Sequence, residues 1–259
     1  MIKQWLKRFQ TYRILKNHGL PDHLWFQVTR RLPLLASLNR FDRVRLRILS
    51  TLLIHNKSFY GANGFIVTEE MKVVIAAQAC LQILKLGIHA FEGWQEIIIY
   101  PGAFRVSREI RDENGLVHSH ANILSGEAWR QGPVVFSWED VERDSFTLRQ
   151  GHNVVIHEFA HKLDMLNGRA NGMPPLHPDM PLAEWTTSLS SAYQQLIEKL
   201  EHHRNEINAY AATNPGEFFA VICEYYFTAP DILIEQYPDV YQQLKAYFKV
   251  ELKSAIQPS

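Results

Sequence analysis

Residues 157–161 read His-Glu-Phe-Ala-His, the HExxH pattern, and the spacing has a physical meaning. On an α-helix, residues i and i+4 share a face with Cβ atoms about 5–6 Å apart. His157 and His161 can therefore turn their imidazoles toward one cation. Neutral imidazole nitrogen binds Zn²⁺ at about 2.0–2.1 Å. Glu158 is turned about 100° from His157, so its carboxylate stands beside such a metal and can take a proton from a water that the metal activates. The pattern is short: the chain's own His and Glu frequencies would produce it by chance in about 4 of 100 such chains. Its surroundings favour the metal. Val154, Val155, Ile156, Phe159 and Leu163 make this an apolar, core-facing helix, where histidines and a glutamate without partners would be costly to bury.

A catalytic zinc takes three protein ligands and keeps a fourth position for water. Cys80 and Cys223 lie in apolar stretches away from the motif. The longer HExxHxxGxxH pattern is absent, because Asp164 and Asn167 stand at its Gly and third His positions. That leaves a downstream carboxylate or a distant histidine. Glu217 and Glu224 share a helix face but stand two turns, about 10 Å, apart, so only one of them can bind. Glu217 opens its helix beside a loop through which a substrate could enter; His177, His202 and His203 are weaker candidates. Asp164, one turn past His161, either accepts a hydrogen bond from a ligand's free ring nitrogen or caps local backbone. Gly126-Glu127-Ala128 is either an edge strand for an extended peptide or an ordinary strand of a sheet.

These residues need elements to hold them. Apolar positions recur at helical spacing over 2–16 and 37–54, and Thr68 with Glu69 and Glu70 starts a helix expected to run to about Leu86. The middle of the chain turns to strands: Glu96–Tyr100, two more around the turn Asp112–Gly115, and Val134–Phe136 after Gly132-Pro133. Helices return from about Asn153 to Leu166, from Leu182 to His203, and after Asn214-Pro215, with Pro230 and Pro238 punctuating the last ones. Helices, clustered strands and helices again read as α+β. The turn Gly61–Gly64 is the best boundary, dividing a basic helical segment, 1–60, packed on the main body, from a domain of 61–259.

The composition bounds the classes. The chain has 259 residues, 46% hydrophobic and 21% charged, with 27 basic and 27 acidic side chains, which excludes a disordered or collagen-like chain. No apolar run approaches the ~20 residues of a membrane-spanning helix. The opening MIKQWLKRFQTYR has no apolar h-region and is not read as a secretory signal. Two isolated cysteines suit a reducing cytoplasm. Charge is uneven: residues 1–57 hold 12 Lys/Arg against Asp22 and Asp42, leaving the remainder acidic. The segment either docks on that acidic body or offers a surface to an acidic partner, nucleic acid or anionic membrane. The overall balance argues against direct nucleic-acid binding.

HEFAHKLD (157–164) followed by INAYAATNPGEFFAVICEYYF (207–227) resembles the MtfA family of bacterial zinc metallopeptidases, and SGEAWRQGPVVFSWEDV (125–141) is similar too. The two metal-bearing blocks also resemble the catalytic domain of anthrax lethal factor. The resemblance implies a zincin-like (gluzincin) fold, mostly helical with a small mixed sheet. It implies one Zn²⁺ per chain, with Glu217 as third ligand after His157 and His161, and Glu158 as general base. Tyr210, by spacing alone equally a helix-packing aromatic, would match a tyrosine that stabilises the tetrahedral intermediate. The activity implied is hydrolysis of a peptide or protein, with endo- and aminopeptidase action both open. The partner implied is the glucose-responsive repressor Mlc, whose capture relieves repression of sugar-uptake genes. The alternative is a non-catalytic zinc-containing protein that sequesters a repressor; the intact Glu158 favours activity, since a structural site needs no base beside its metal.

Overall fold

The computed structural model describes residues 2–102, 104–111, 117–124, 126–128, 132–202 and 206–250. Before the sheet come helices α1 (Ile2–His18), α2 (Asp22–Thr29) and α3 (Arg40–Asn56); strand β1 (Ser58–Gly61) and helix α4 (Glu69–Gln82) follow. Strands β2 (Glu96–Tyr100), β3 (Phe104–Arg111), β4 (Val117–Leu124), β5 (Gly126–Ala128) and β6 (Val134–Ser137) form the middle of the chain. The last third is helical: α5 (Trp138–Phe146), α6 (Val154–Asp164), α7 (Leu182–Glu201), α8 (Pro215–Thr228), α9 (Pro230–Gln236) and α10 (Pro238–Phe248). The α+β class expected from the pattern holds. Helices α2 and α5 and strand β1 had not been expected.

Four strands make a small mixed sheet in the order β1-β2-β6-β5. β1, β2 and β6 run parallel, with Phe59 opposite Ile97 and Ile99 opposite Phe136, while β5 is antiparallel to β6 at the end of the sheet. Parallel neighbours need a crossover connection, and α4 supplies the one between β1 and β2. β3 and β4 pair with each other as a separate antiparallel ribbon. The turn expected at 112–115 lies outside the described residues, as do Ser125 and residues 129–131 of the segment that resembles the family.

Ile97, Ile99, Val134 and Phe136 are fully buried, and Phe159 of α6 packs into the same core. The Phe159 ring meets Phe91 at 4.9 Å and Trp94 at 5.7 Å, edge to face, and stacks at 6.3 Å from Phe136. Because Phe159 sits between His157 and His161, the same helical turn that locks into the core presents the two histidines on another side. α4 backs α6 from behind: Gln82 Nε2 donates to Ile156 O at 3.1 Å.

The boundary expected at residue 60 falls inside β1, and Trp25, Val28 and Leu53 before it share one buried cluster with Ile97 and Phe159 after it. Arg31 pairs with Glu70 across the boundary, a basic residue of the segment meeting an acidic one of the body, while Lys85 of the body pairs with the segment's own Asp42. Lys57 is buried at the junction. Its Nζ donates to Phe91 O and Trp94 O and lies 3.8 Å from the Trp94 ring centroid. Burial outweighs the nearby Glu92 charge and pulls its pKa down to about 8. Elsewhere α1 exposes Trp5, Phe9 and Tyr12, and α3 exposes Phe41, Val44 and Ile48. No helix of the described residues is long and apolar enough to cross a membrane.

Candidate active site

The start of α6 is tied down by side chains. Asn153 Oδ1 accepts from Ile156 N at 2.9 Å, and Asn153 Nδ2 donates to Gln78 Oε1 at 2.7 Å. Asp144 Oδ2 accepts from Val154 N at 3.3 Å. These groups take up the free N–H donors that every helix start leaves. Helix α8 starts in the same way: Pro215 occupies its first turn and Asn214 Oδ1 accepts from Glu217 N at 3.0 Å. That cap fixes Glu217 at the end of α8 that faces the α6 histidines.

Three donor atoms converge there. His157 Nε2 and His161 Nε2 are 3.2 Å apart, and Glu217 Oε2 lies 3.1 Å from the first and 3.2 Å from the second. Among the described residues, His157, His161 and Glu217 are the group of His, Cys, Asp or Glu arranged to hold a metal ion. Their side chains are 12%, 10% and 18% exposed, so the cluster is largely sheltered yet open on one side.

Glu224, the other carboxylate the sequence left open, does a different job. Its Oε1 accepts from His157 Nδ1 at 2.8 Å and its Oε2 accepts from Asn153 N. In the neutral ring, a proton fixed on Nδ1 would leave the Nε2 lone pair of His157 aimed at the cluster. Asp164 is not a partner of either histidine ring. Its carboxylate accepts from Gly172 N at 2.8 Å and Met173 N at 2.7 Å, the backbone-capping alternative. His177 Nε2 bonds Tyr247 O at 2.8 Å, His202 is exposed at the end of α7, and His203 lies outside the described residues. Tyr210 stands on the short 3₁₀ turn Ala209–Ala212, 47% exposed, with its ring 6.0 Å from that of His157. Gln78, Asn153 and Asp144 had no role in the sequence reading beyond the helix start at Asn153; only the position of an Asn before an apolar run signalled one of them.

The electrostatics favour positive charge. Burial lowers the pKa of His157, but its hydrogen bonds to Glu217 and Glu224 outweigh that and hold it well above the usual histidine value. His161, with burial as the larger effect, is lowered. Burial works against the Glu217 carboxylate, yet its bonds to both histidines hold it well below the usual range. Glu158 is fully enclosed and burial pushes it up to about 8, with His157 opposing and Glu217 and Glu224 adding to the rise. Glu158 Oε2 and His161 Nδ1 are buried with no hydrogen-bond partner among the described residues.

The model of the glucose-regulated metallo-peptidase M90 family matches residues 4–249. Mlc titration factor A of Serratia proteamaculans (strain 568) is 39% identical over 230 residues, which is 87% of each chain. Proteins of the same name from Yersinia pestis (strain Pestoides F) and Yersinia pseudotuberculosis serotype O:1b (strain IP 31758) are 40% identical over 222 residues, 84% of this chain and 81% of theirs. The chain belongs to the MtfA family of M90 metallopeptidases. A metal belongs to the chemistry of an MtfA metallopeptidase, and the donor set here fits one. Ligands at about 2.0–2.1 Å in a tetrahedral site lie about 3.3 Å from one another, close to the 3.1–3.2 Å sides of this triangle. Two facing imidazole nitrogens and a carboxylate oxygen at such separations are stabilised by a shared cation.

Proposed function

We propose that this MtfA metallopeptidase is a zinc peptidase of gluzincin type, in which His157, His161 and Glu217 hold one Zn²⁺ per chain and Glu158 is the general base. The observation that carries the reading is the triangle of Nε2, Nε2 and Oε2 atoms beside a buried, unpartnered glutamate oxygen. Zinc supplies a Lewis acid that polarises the scissile carbonyl and lowers the pKa of water. Glu224 keeps the His157 proton on Nδ1, so that Nε2 stays free to act as a ligand. Glu158 Oε2 takes a proton from the attacking water and later delivers it to the leaving amine. Tyr210 donates a hydrogen bond from its phenol to the developing oxyanion. β5 is the terminal strand of the sheet and packs beside α6, so an extended peptide can add to it there.

The name of the relatives supports a second role on the same molecule, an interaction with Mlc, which we propose to be capture of that repressor in the cytoplasm, modulating sugar-uptake genes. The two roles are compatible. Metal analysis and a peptide-library digest of wild type and Glu158→Gln, with Mlc binding measured on both, test the reading. One zinc per chain in each protein is expected, with cleavage reduced about 10²–10⁴-fold in the variant, the usual worth of a general base. Full cleavage by Glu158→Gln would sink the mechanism. Zinc-loaded wild type that binds Mlc and cleaves no peptide would leave only the non-catalytic binding role.

A further inference from the structure

Glu217, Glu224, Tyr225 and Thr228 fall within about 100° of one another around α8. The two glutamates meet the α6 histidines, and Thr228 Oγ1 accepts from Gly151 N at 2.8 Å, in the loop that leads into α6. Tyr225 faces another neighbour. Its phenol donates to Glu206 O at 2.9 Å and accepts from Asn208 N at 3.2 Å. Asn208 in turn uses Oδ1 to accept from Tyr210 N at 3.0 Å, which starts the 3₁₀ turn carrying Tyr210. The far end of that turn is held by Tyr193, whose phenol donates to Ala212 O at 3.0 Å.

The Tyr225 ring has little room to shift. It is 4% exposed, and Gly151 leaves room for it: a Cβ there would come within 2.2–2.6 Å of three ring atoms. A buried phenol needs a hydrogen-bond partner, and any carbonyl would satisfy one. Here the phenol takes both a carbonyl and an amide from the three residues just before the turn, so it fixes their path in two directions.

We infer that Tyr225 is a positioning residue for Tyr210, setting the turn that holds the Tyr210 ring beside His157. The inference rests on the reading of Tyr210 as the oxyanion donor. The adjacent residues Glu224 and Tyr225 then divide the work of α8. Glu224 sets a metal ligand and Tyr225 sets the group that meets developing charge.

The test uses zinc-loaded, full-length wild type, Tyr210→Phe, Tyr225→Phe and the double variant, with a fluorogenic peptide and amide exchange at residues 206–212. Phenylalanine keeps the ring that fills the core, so Tyr225→Phe is expected to fold with zinc content unchanged. Its kcat should fall about tenfold with KM unchanged, inside the ~10²-fold that a 1 Å misplacement can cost. Exchange at Tyr210 N should quicken, and the double variant should be no slower than Tyr210→Phe alone. Wild-type kcat in Tyr225→Phe, when Tyr210→Phe is impaired, overturns the inference. So do losses that multiply in the double variant, or a fall in kcat accompanied by lost zinc. Full kcat in Tyr210→Phe would instead remove the oxyanion role from Tyr210. Amide exchange at Tyr210 would then decide the positioning alone, and no change in Tyr225→Phe would overturn it.

Discussion

Helices α6 and α8 bury what most helices expose, whereas α1 and α3 expose what most helices bury. Glu158, His161, Lys162, Asp164 and Glu224 are all buried in the first pair, while Trp5 is 63% and Phe41 80% exposed in the second. Both depart from ordinary burial, but with different physical weight. A buried ionisable group must find partners or shift its pKa, and nearly every one here has a named partner: Glu224 with His157 and Asn153, Asp164 with Gly172 and Met173, Lys162 with Gly132 O. The two atoms left over belong to Glu158 and His161, both on the helical turn that carries the cluster's histidines. An exposed aromatic ring costs little and requires no partner, so it specifies far less. Buried charge is therefore the sharper pointer to chemistry in this molecule.

The contrast can be broken most severely at Glu217. Glu217→Ala removes one corner of the donor triangle and leaves two histidines, so bound metal and peptide cleavage should both fall to background. Metal content after gel filtration is the readout; metal retained in Glu217→Ala but lost in Glu224→Ala would transfer the ligand role to Glu224. Gly151→Ala attacks the same region through packing. Gly151 has φ of 67° and its missing Cβ gives way to the Tyr225 ring, so alanine should destabilise the fold by about 1–3 kcal/mol in denaturant titration. An unchanged midpoint would mean that the ring moves freely.

Lys57 lies where the two patterns meet, a buried cation just past the end of α3, whose outer face carries exposed aromatic and aliphatic side chains. Its folded pKa of about 8 is below the unfolded value of 10.5, so between these pH values the unfolded chain binds the extra proton. Stability of the wild type should then rise with pH from about 8 to 10.5 relative to Lys57→Met, by at most about 1.4 kcal/mol per pH unit and roughly 1–3 kcal/mol in total. Parallel curves for the two proteins would show that the lysine is solvated. The smallest effect is expected at Phe41→Ser, on the exposed face of α3, where stability should change by no more than about 0.5 kcal/mol. A loss of several kcal/mol would mean that this face is covered in solution.

Much of the site was legible because its signals are local. The i, i+4 histidines, the Asn before the apolar run of α6 and the Asn-Pro before α8 each act within one helical turn, and each stands where the sequence put it. Pairing at a distance left weaker traces. β1 has four residues, too few to display a period, and its partner β2 begins 38 positions later. Glu224 looked like a rival ligand because a spacing of seven identifies a shared helix face but not which end of a histidine ring each carboxylate meets. Asp164 offered two local roles, and the choice depended on where the loop at Gly172 returns. Tyr210 could not be separated from a packing aromatic, since a four-residue 3₁₀ turn has no amphipathic pattern to place it.

The arrangement of α8 also decides where the chain can change in length. Each residue added to a helix advances everything after it by about 100° and 1.5 Å. An insertion between Glu217 and Glu224 would put Glu224, Tyr225 and Thr228 out of phase with their partners while leaving Glu217 behind, cutting the histidine partner, the Tyr210 turn and the Gly151 anchor in one step. The irregular stretch from Arg169 to Pro181 carries no such phase: it is tied at Gly172 and Met173 to Asp164, at Gly172 to Trp185 and at His177 to Tyr247, and extra residues between Met173 and His177 can be absorbed there. Length variation is therefore expected to collect in that loop and to stop at Asn214.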